Sequence, residues 1–212
     1  MSRTKLVVAG CAICLMAFAH ARTVRGQANP SQRNDQLAPK TGSSAAPAAT
    51  APPAAAARDG SHDFDPLLGS WKYHLKRRLN PLTGSNTWVE FEGTGNCYKI
   101  WDGGELDTIV VDGPTGHVEG LTVRLYNPQS RQWSLSWANR KDGTLVAPQI
   151  GEFKGGRGEF YAQDTLNSRS ILVRFVWTNL NTDTPHFEQS FSDDGGKTWE
   201  VNWITDQTKV NP

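Results

Sequence analysis

From residue 70 onward the chain is cut by turn-forming clusters at near-regular intervals, and all eight tryptophans fall in that tract. The clusters are Asn80-Pro81-Leu82-Thr83-Gly84, Asp102-Gly103-Gly104, Asp112-Gly113-Pro114-Thr115-Gly116, Asn127-Pro128, Lys141-Asp142-Gly143, Gly155-Gly156-Arg157-Gly158, Asn167-Ser168 and Asp183-Thr184-Pro185. Each supplies the positive or fixed φ of a tight connection. Between them lie aromatic-rich segments that predict strands near 70–79, 87–101, 105–112, 117–126, 131–139, 145–154, 158–165, 169–179, 185–192 and 198–208. No stretch there sustains the helical apolar period that a βαβ unit needs. Short links between sequential strands predict an all-β fold, a single antiparallel up-and-down barrel of about ten strands, since closure removes exposed edges. Ahead of it, His62 to Leu68 predicts one short helical turn, with Asp63 as cap and Gly69 ending it.

The first sixty residues have a different character. Arg3 and Lys5 precede an apolar or small-residue run from Leu6 to Phe18, and Ala19-His20-Ala21 is an A-x-A cleavage site. The run is too short for a membrane span, which needs about 20 apolar residues. Residues 1–21 therefore read as a signal peptide cleaved near Ala21; Val8-Ala9-Gly10-Cys11 also resembles a lipobox. Residues 22–60 are rich in Ala, Pro, Ser, Gln and Thr and hold no aromatic residue, the composition of a disordered linker. Residues 61–212 are left for the barrel, enough for one core.

Export would remove Arg3 and Lys5 and no acid, taking the formal charge from +1 to −1. A near-neutral mature chain with no transmembrane segment gives no electrostatic reason to expect nucleic acid or an anionic membrane as partner. Cys11 and Cys14 would leave with the signal, so Cys97 stands alone and reads as a buried apolar cysteine, or else as a reactive thiol.

Two hairpins carry a register. Around Asp194-Gly195-Gly196, Phe187, Gln189 and Phe191 share a face with Trp203, Val201 and Trp199, while His186, Glu188 and Ser190 share the other with Ile204, Asn202 and Glu200. Around Asn127-Pro128, Arg124 falls on the face of Trp133, Leu135 and Trp137. A slip of one residue would reverse every assignment.

Gly69-Ser70-Trp71 is similar to the Gly-x-Trp that opens lipocalin-type barrels. More of the chain resembles a family of exported bacterial proteins with a calycin-like barrel. The matching pieces include Phe64-Asp65-Pro66-Leu67-Leu68-Gly69-Ser70-Trp71, Val123-Arg124-Leu125-Tyr126-Asn127-Pro128, Trp133-Ser134-Leu135-Ser136-Trp137, Gly158-Glu159-Phe160-Tyr161, Val173-Arg174-Phe175-Val176-Trp177 and Glu188 to Trp203. The resemblance implies a lipocalin- or fatty-acid-binding-protein-like fold and no particular activity. The later lipocalin signatures and disulfide are absent from the sequence.

Ser192 to Trp199 matches the Asp-box of sialidase propellers, but a propeller needs many copies, so the single copy reads as a turn in which Ser192 and Asp194 satisfy amides above Trp199. Arg124 and Arg174 interrupt apolar strands, and a buried guanidinium must be paired. Either they grip an anionic ligand head, as in fatty-acid-binding barrels, or they pair with Glu188, Glu200 or Glu90, or face outward. Trp88, Trp133, Trp137, Trp177 and Trp203 read as core or as the walls of a ligand cavity. The histidines beyond the signal lack metal-ligand spacing, and a haem would have to rest on one axial ligand, His186 or His117. No metal and no cofactor is expected. Nucleophile-elbow, Walker and dinucleotide fingerprints are missing.

The expected function is an exported barrel binding a small, apolar or amphipathic ligand with a polar or anionic head, through Arg124, Trp137, Arg174, Trp177, Glu188 and Trp203. The alternatives are an enzyme using Glu188 or His186 as acid or base in the barrel cavity, with no catalytic residue marked by a motif, and a non-catalytic interaction module. Oligomeric state is not encoded in any pattern of the sequence.

Overall fold

The computed structural model describes residues 59–210. The expected signal peptide and all but the last two residues of the expected linker lie outside that range.

Ten strands follow one another: β1 (Gly69–Arg78), β2 (Trp88–Trp101), β3 (Gly104–Gly113), β4 (Gly116–Asn127), β5 (Gln132–Asn139), β6 (Gln149–Lys154), β7 (Arg157–Leu166), β8 (Arg169–Thr178), β9 (His186–Ser192) and β10 (Glu200–Lys209). Each pairs antiparallel with its sequence neighbours, and β1 pairs with β10, so the sheet closes into an up-and-down barrel. The turn chemistry set these boundaries closely, with two informative departures. β6 begins at Gln149 rather than 145, because Pro148 has no amide hydrogen to give the ladder. β10 begins at Glu200 rather than 198, because the amides of Lys197 and Thr198 are already taken by Asp194 Oδ1, each at 3.0 Å.

The helical turn is a 3-10 turn over Asp65–Leu67. Asp63 is not its cap: Phe64 holds that position without a side-chain bond, and Leu68 rather than Gly69 ends the turn. Its role is to seal one pole of the barrel. Phe64 is fully buried, edge-on to Trp133 at 5.1 Å and Phe153 at 5.0 Å, and stacked on Phe160 at 5.6 Å. Trp71 Nε1 donates to the Leu67 carbonyl at 2.6 Å, and Trp133 Nε1 to that of Gly60 at 2.9 Å. Removing such a ring leaves a cavity worth about 3–5 kcal/mol.

Side chains alternate across each strand, so the registers divide inner from outer faces. Trp71, Tyr73 and Leu75 on β1 face inward, as do Phe91 on β2, Ile109 and Val111 on β3, Leu135 on β5, Phe160 on β7, and Val173, Phe175 and Trp177 on β8; all are buried. The outer face carries charge: Lys76 and His74 reach Glu90 at 3.4 and 3.2 Å, exposed cross-strand pairs that favour this register and add little stability. Among the described residues, no helix is long and apolar enough to cross a membrane.

The β9–β10 hairpin corrects the sequence register. Gln189 and Phe187 lie opposite Trp203 and Thr205, but an irregularity between Val201 and Trp203 inserts Asn202, and Phe191 pairs with Glu200. Such a bulge shifts the pairing by one residue. Asn202 is buried and accepts a 2.7 Å bond from Gln189 Nε2. Trp199 consequently falls on the outer face, over Arg174 and beside Tyr161, and not with Phe187 and Phe191.

Candidate functional site: a one-ended cup with a carboxylate floor

Residues that point into the barrel differ in their access to water. Near the 3-10 turn Phe64, Trp71, Trp133, Leu135 and Phe160 are buried, while Tyr126, Phe153 and Phe187, also inward by register, are partly exposed. Farther from it, Val89, Val118, Thr122, Trp137, Gln189, Phe191 and Trp203 keep partial access although their register turns them inward. Their paired neighbours Val111 and Val173 are buried, so exposure on the inner face is uneven, and the wall formed by the partly exposed side chains is the candidate site, called the cup below. Asp107 pairs with Thr122 and Thr122 with Trp137, so a carboxylate, a hydroxyl and an indole make one strip of wall. Across the barrel, with β9 five places from β4 in the ring, Gln189 and Trp203 pair to make the facing strip. Trp137 lies flat over Gly120, where an added Cβ would come within 2.3 Å of the ring, so only glycine admits the indole there.

Arg124 lies beneath the cup, 1% exposed. Its Nη2 donates to Asp107 Oδ2 at 2.7 Å and its Nη1 to Glu105 Oε2 at 3.3 Å. Nη1 also reaches Cys97 Sγ at 3.5 Å, and Tyr73 Oη donates to Asp107 Oδ1 at 3.0 Å. The guanidinium stands over the rings of Phe64 at 4.8 Å and Trp177 at 5.2 Å. Burial alone would lower the Arg124 pKa; Asp107, with Cys97 and Glu105, outweighs that and raises it. Burial pushes the Cys97 thiol up to about 12, against the pull of Arg124. Burial likewise raises Tyr73 well above its usual value, helped by Asp107, and raises Glu105 above the ordinary glutamate value against the pull of Arg124. The floor is thus a fixed cation shared by two carboxyls, flanked by a neutral thiol and a neutral phenol.

Of the six residues expected at a site, the fold brings Arg124, Trp137, Trp177 and Trp203 inside and leaves two out. Arg174 pairs with Tyr161 and Ser190 on the outer face and stacks on Trp199 at 4.5 Å. Glu188 pairs with Val176 and Ile204 on the outer face, where its Oε1 meets His186 Nε2 at 3.2 Å. His186 Nδ1 meets Asp206 Oδ1 at 2.6 Å, so both its nitrogens are engaged away from the cup. Burial works against protonation of His186, but Asp206 and Glu188 prevail and raise its pKa. His117 is also external, 2.8 Å from Asp112. Trp88 lies under Arg78 at 5.0 Å on the outer face. The partners of Arg124 are Glu105 and Asp107, not Glu188, Glu200 or Glu90.

The Asp-box sequence makes a turn. Asp194 Oδ1 accepts from Ser192 Oγ at 2.7 Å, Asp194 Oδ2 from Thr198 Oγ1 at 2.7 Å, and Trp199 Nε1 donates to the Gly196 carbonyl at 3.1 Å. The Thr198 amide is the main reason the Asp194 carboxyl lies far below its usual value.

Glu105, Asp107, Thr122, Tyr73 and Gln189 escaped the sequence reading. A signal for the first two existed: the turn between Gly113 and Gly116 sets Glu105 opposite Arg124 and Asp107 opposite Thr122, two alternate positions on one face of β3.

A second concavity, an open groove of about 600 Å³, lies outside the barrel between the β1–β2 loop and the 193–199 turn, lined by Arg78, Leu82, Trp199 and Glu200. Its cation is already committed, Arg78 to Glu200 at 3.1 Å, and Glu200 also accepts the Leu82 amide at 2.7 Å. The groove is a braced loop rather than a receptive site. Among the described residues no group of three or more His, Cys, Asp or Glu is placed to hold a metal ion.

A closed ten-stranded antiparallel up-and-down barrel is consistent with a calycin-like fold. The chain matches no protein-family model and no curated protein.

Proposed function

We propose that the protein binds one small ligand with a largely apolar body in the cup, with a polar head set down on the Asp107–Arg124 floor. The observation that supports this reading is the partial exposure of Val118, Trp137, Phe191 and Trp203, which point inward by register, together with the side chain of Asp107 on the same face. Aromatic and aliphatic walls with a few convergent polar groups are the usual composition of a small-molecule site. The outer positions of Arg174, Glu188 and His186 separate them from this site, so the polar contacts fall to Asp107, Thr122 and Gln189, with Arg124 holding Asp107 in place.

Titration with Nile red, a neutral apolar dye, tests the reading. The expected result is saturable binding at one dye per chain with blue-shifted emission, abolished in Val118→Trp, which fills the mouth. No saturable binding, or binding unchanged in a Val118→Trp protein of native circular dichroism, would refute the cup as a site.

A further inference from the structure

The floor has a sign. Arg124 is the one cation of the buried cluster, and its charge is spent below the cup, with its terminal nitrogens bonded to Glu105 and Asp107 and its guanidinium carbon over the rings of Phe64 and Trp177. What faces upward is oxygen. Asp107 is the wettest carboxyl of the cluster, its side chain 12% exposed against 1% for Glu105. Gln189, inward on β9, commits its amide nitrogen to Asn202, so the remaining polar atom of its side chain is an acceptor. Glu105 Oε1, Gln149 Oε1 and Gln207 Oε1 are buried and have no partner. Glu105 is inward on β3, Gln149 lies beside Leu135 on β6, and Gln207 lies beside Tyr73 on β10. Of the buried donors turned inward, Arg124 Nε and Trp177 Nε1 lack acceptors, and Arg77, exposed and inward by register beside Val89 and Trp203, is a cation of the rim at the far end of β1. The aromatic walls add ring faces, which are also negative.

Acceptors and ring faces are complementary to a donor. Resting on the cup as the binding site, we propose that its ligand is a small amphiphilic cation, an apolar body ending in a protonated amine that bonds Asp107 and lies against the rings of Trp137 and Trp203. At the floor an anionic head would meet the Asp107 carboxylate with Arg124 already committed, and Arg77 stands eight residues along β1 from Gly69, whose partner Cys97 pairs with Asp107. This reverses the sign that an unpaired Arg124 would have given the site.

Three probes with one tail and different heads test the inference on the full-length protein at neutral pH: dodecylamine, dodecanol and dodecanoate, each read by displacement of Nile red. A charge-assisted bond predicts that dodecylamine binds about 10- to 100-fold more tightly than dodecanoate, with dodecanol between them. In Asp107→Asn the preference for amine over alcohol should collapse, with circular dichroism reporting whether the variant is folded. The comparison among heads on the native protein decides the matter even where that variant does not fold. Dodecanoate binding as tightly as dodecylamine would overturn the cationic ligand and leave the cup standing. Failure of all three probes, and of Nile red itself, would overturn both.

Discussion

Replacing Arg124 with methionine separates the two carboxyls that the guanidinium holds, and they are not equivalent. Glu105 is 1% exposed, and Lys99 opposite it on β2 is committed to Asp65 and Asp102, so without Arg124 it must remain buried without a counter-charge or take up a proton. Asp107 keeps the hydroxyl of Tyr73 and borders the cup, where water can reach it. One stranded charge, not two, sets the scale, and removing one partner of a buried ion pair costs about 3–5 kcal/mol. At about 2–4 °C per kcal/mol for a domain of this size, the melting temperature should fall by roughly 6–20 °C. The sign of the pH dependence follows from Glu105. Its folded-state pKa is raised by burial, so protonation favours the folded state: that contribution is full below the unfolded pKa and is lost as pH rises through the folded one. The deficit of Arg124→Met should therefore shrink on passing from mildly alkaline to mildly acidic buffer. Pairing the substitution with Glu105→Leu removes the stranded charge and should restore all but about 1–2 kcal/mol, since an apolar replacement of a buried pair is often neutral. Urea unfolding of the native protein, the single variant and the double variant measures each quantity. A single-variant loss below about 1 kcal/mol, or a double variant no more stable than the single, would show that the cluster is not the electrostatic unit described.

Two further outcomes follow from the same geometry. Cys97 is buried and its thiol is pushed up to about 12, so a thiol-specific disulfide reagent should leave it unmodified in the native protein and label it stoichiometrically once the chain is unfolded in denaturant; rapid native labelling would contradict the burial. His186, held between Asp206 and Glu188 with its pKa raised, stabilises the fold at pH below its unfolded value and loses that contribution as pH rises through the folded one. The stability difference between the native protein and His186→Gln should thus be largest in mild acid and fade in alkali, and a flat difference across that range would exclude the pairing.

The strand order and most strand ends were legible because turns in this chain are written in glycine, proline and asparagine, whose backbone preferences act locally. The Asn127-Pro128 turn correctly put Arg124 on the face of Trp133, Leu135 and Trp137. Register failed at Asn202, because a bulge changes no residue type; it is decided by whether the extra amide finds a partner, and Gln189 supplies one from the neighbouring strand. The site was legible in part for a related reason. Tryptophans announce themselves, and three of the chosen ones, Trp137, Trp177 and Trp203, do point inward. Arg174 and Arg124 look alike in sequence, each a lone cation in an apolar strand, and only strand parity separates them: Arg124 faces Leu135 across its pair, whereas Arg174 faces Tyr161 and Ser190 and meets Trp199, which the bulge has turned outward. Asp107 was overlooked because its meaning comes from pairing: Arg124 reaches it across the neighbouring hairpin, whose turn carried the signal, and Tyr73 from β1, distant in sequence.

The seam of the barrel joins its first strand to its last, with Trp71 paired to Lys209 and Arg77 to Trp203. Every other seam joins strands adjacent along the chain and can form while synthesis proceeds. This one must wait until β10 has left the ribosome, and until then β1 and β9 both present unpaired edges. Folding should therefore be limited by a single late docking event rather than by local hairpins. A chain stopped a few residues before Lys209 would lose more than its length suggests, being left as an open, edge-exposed sheet prone to pairing with its neighbours.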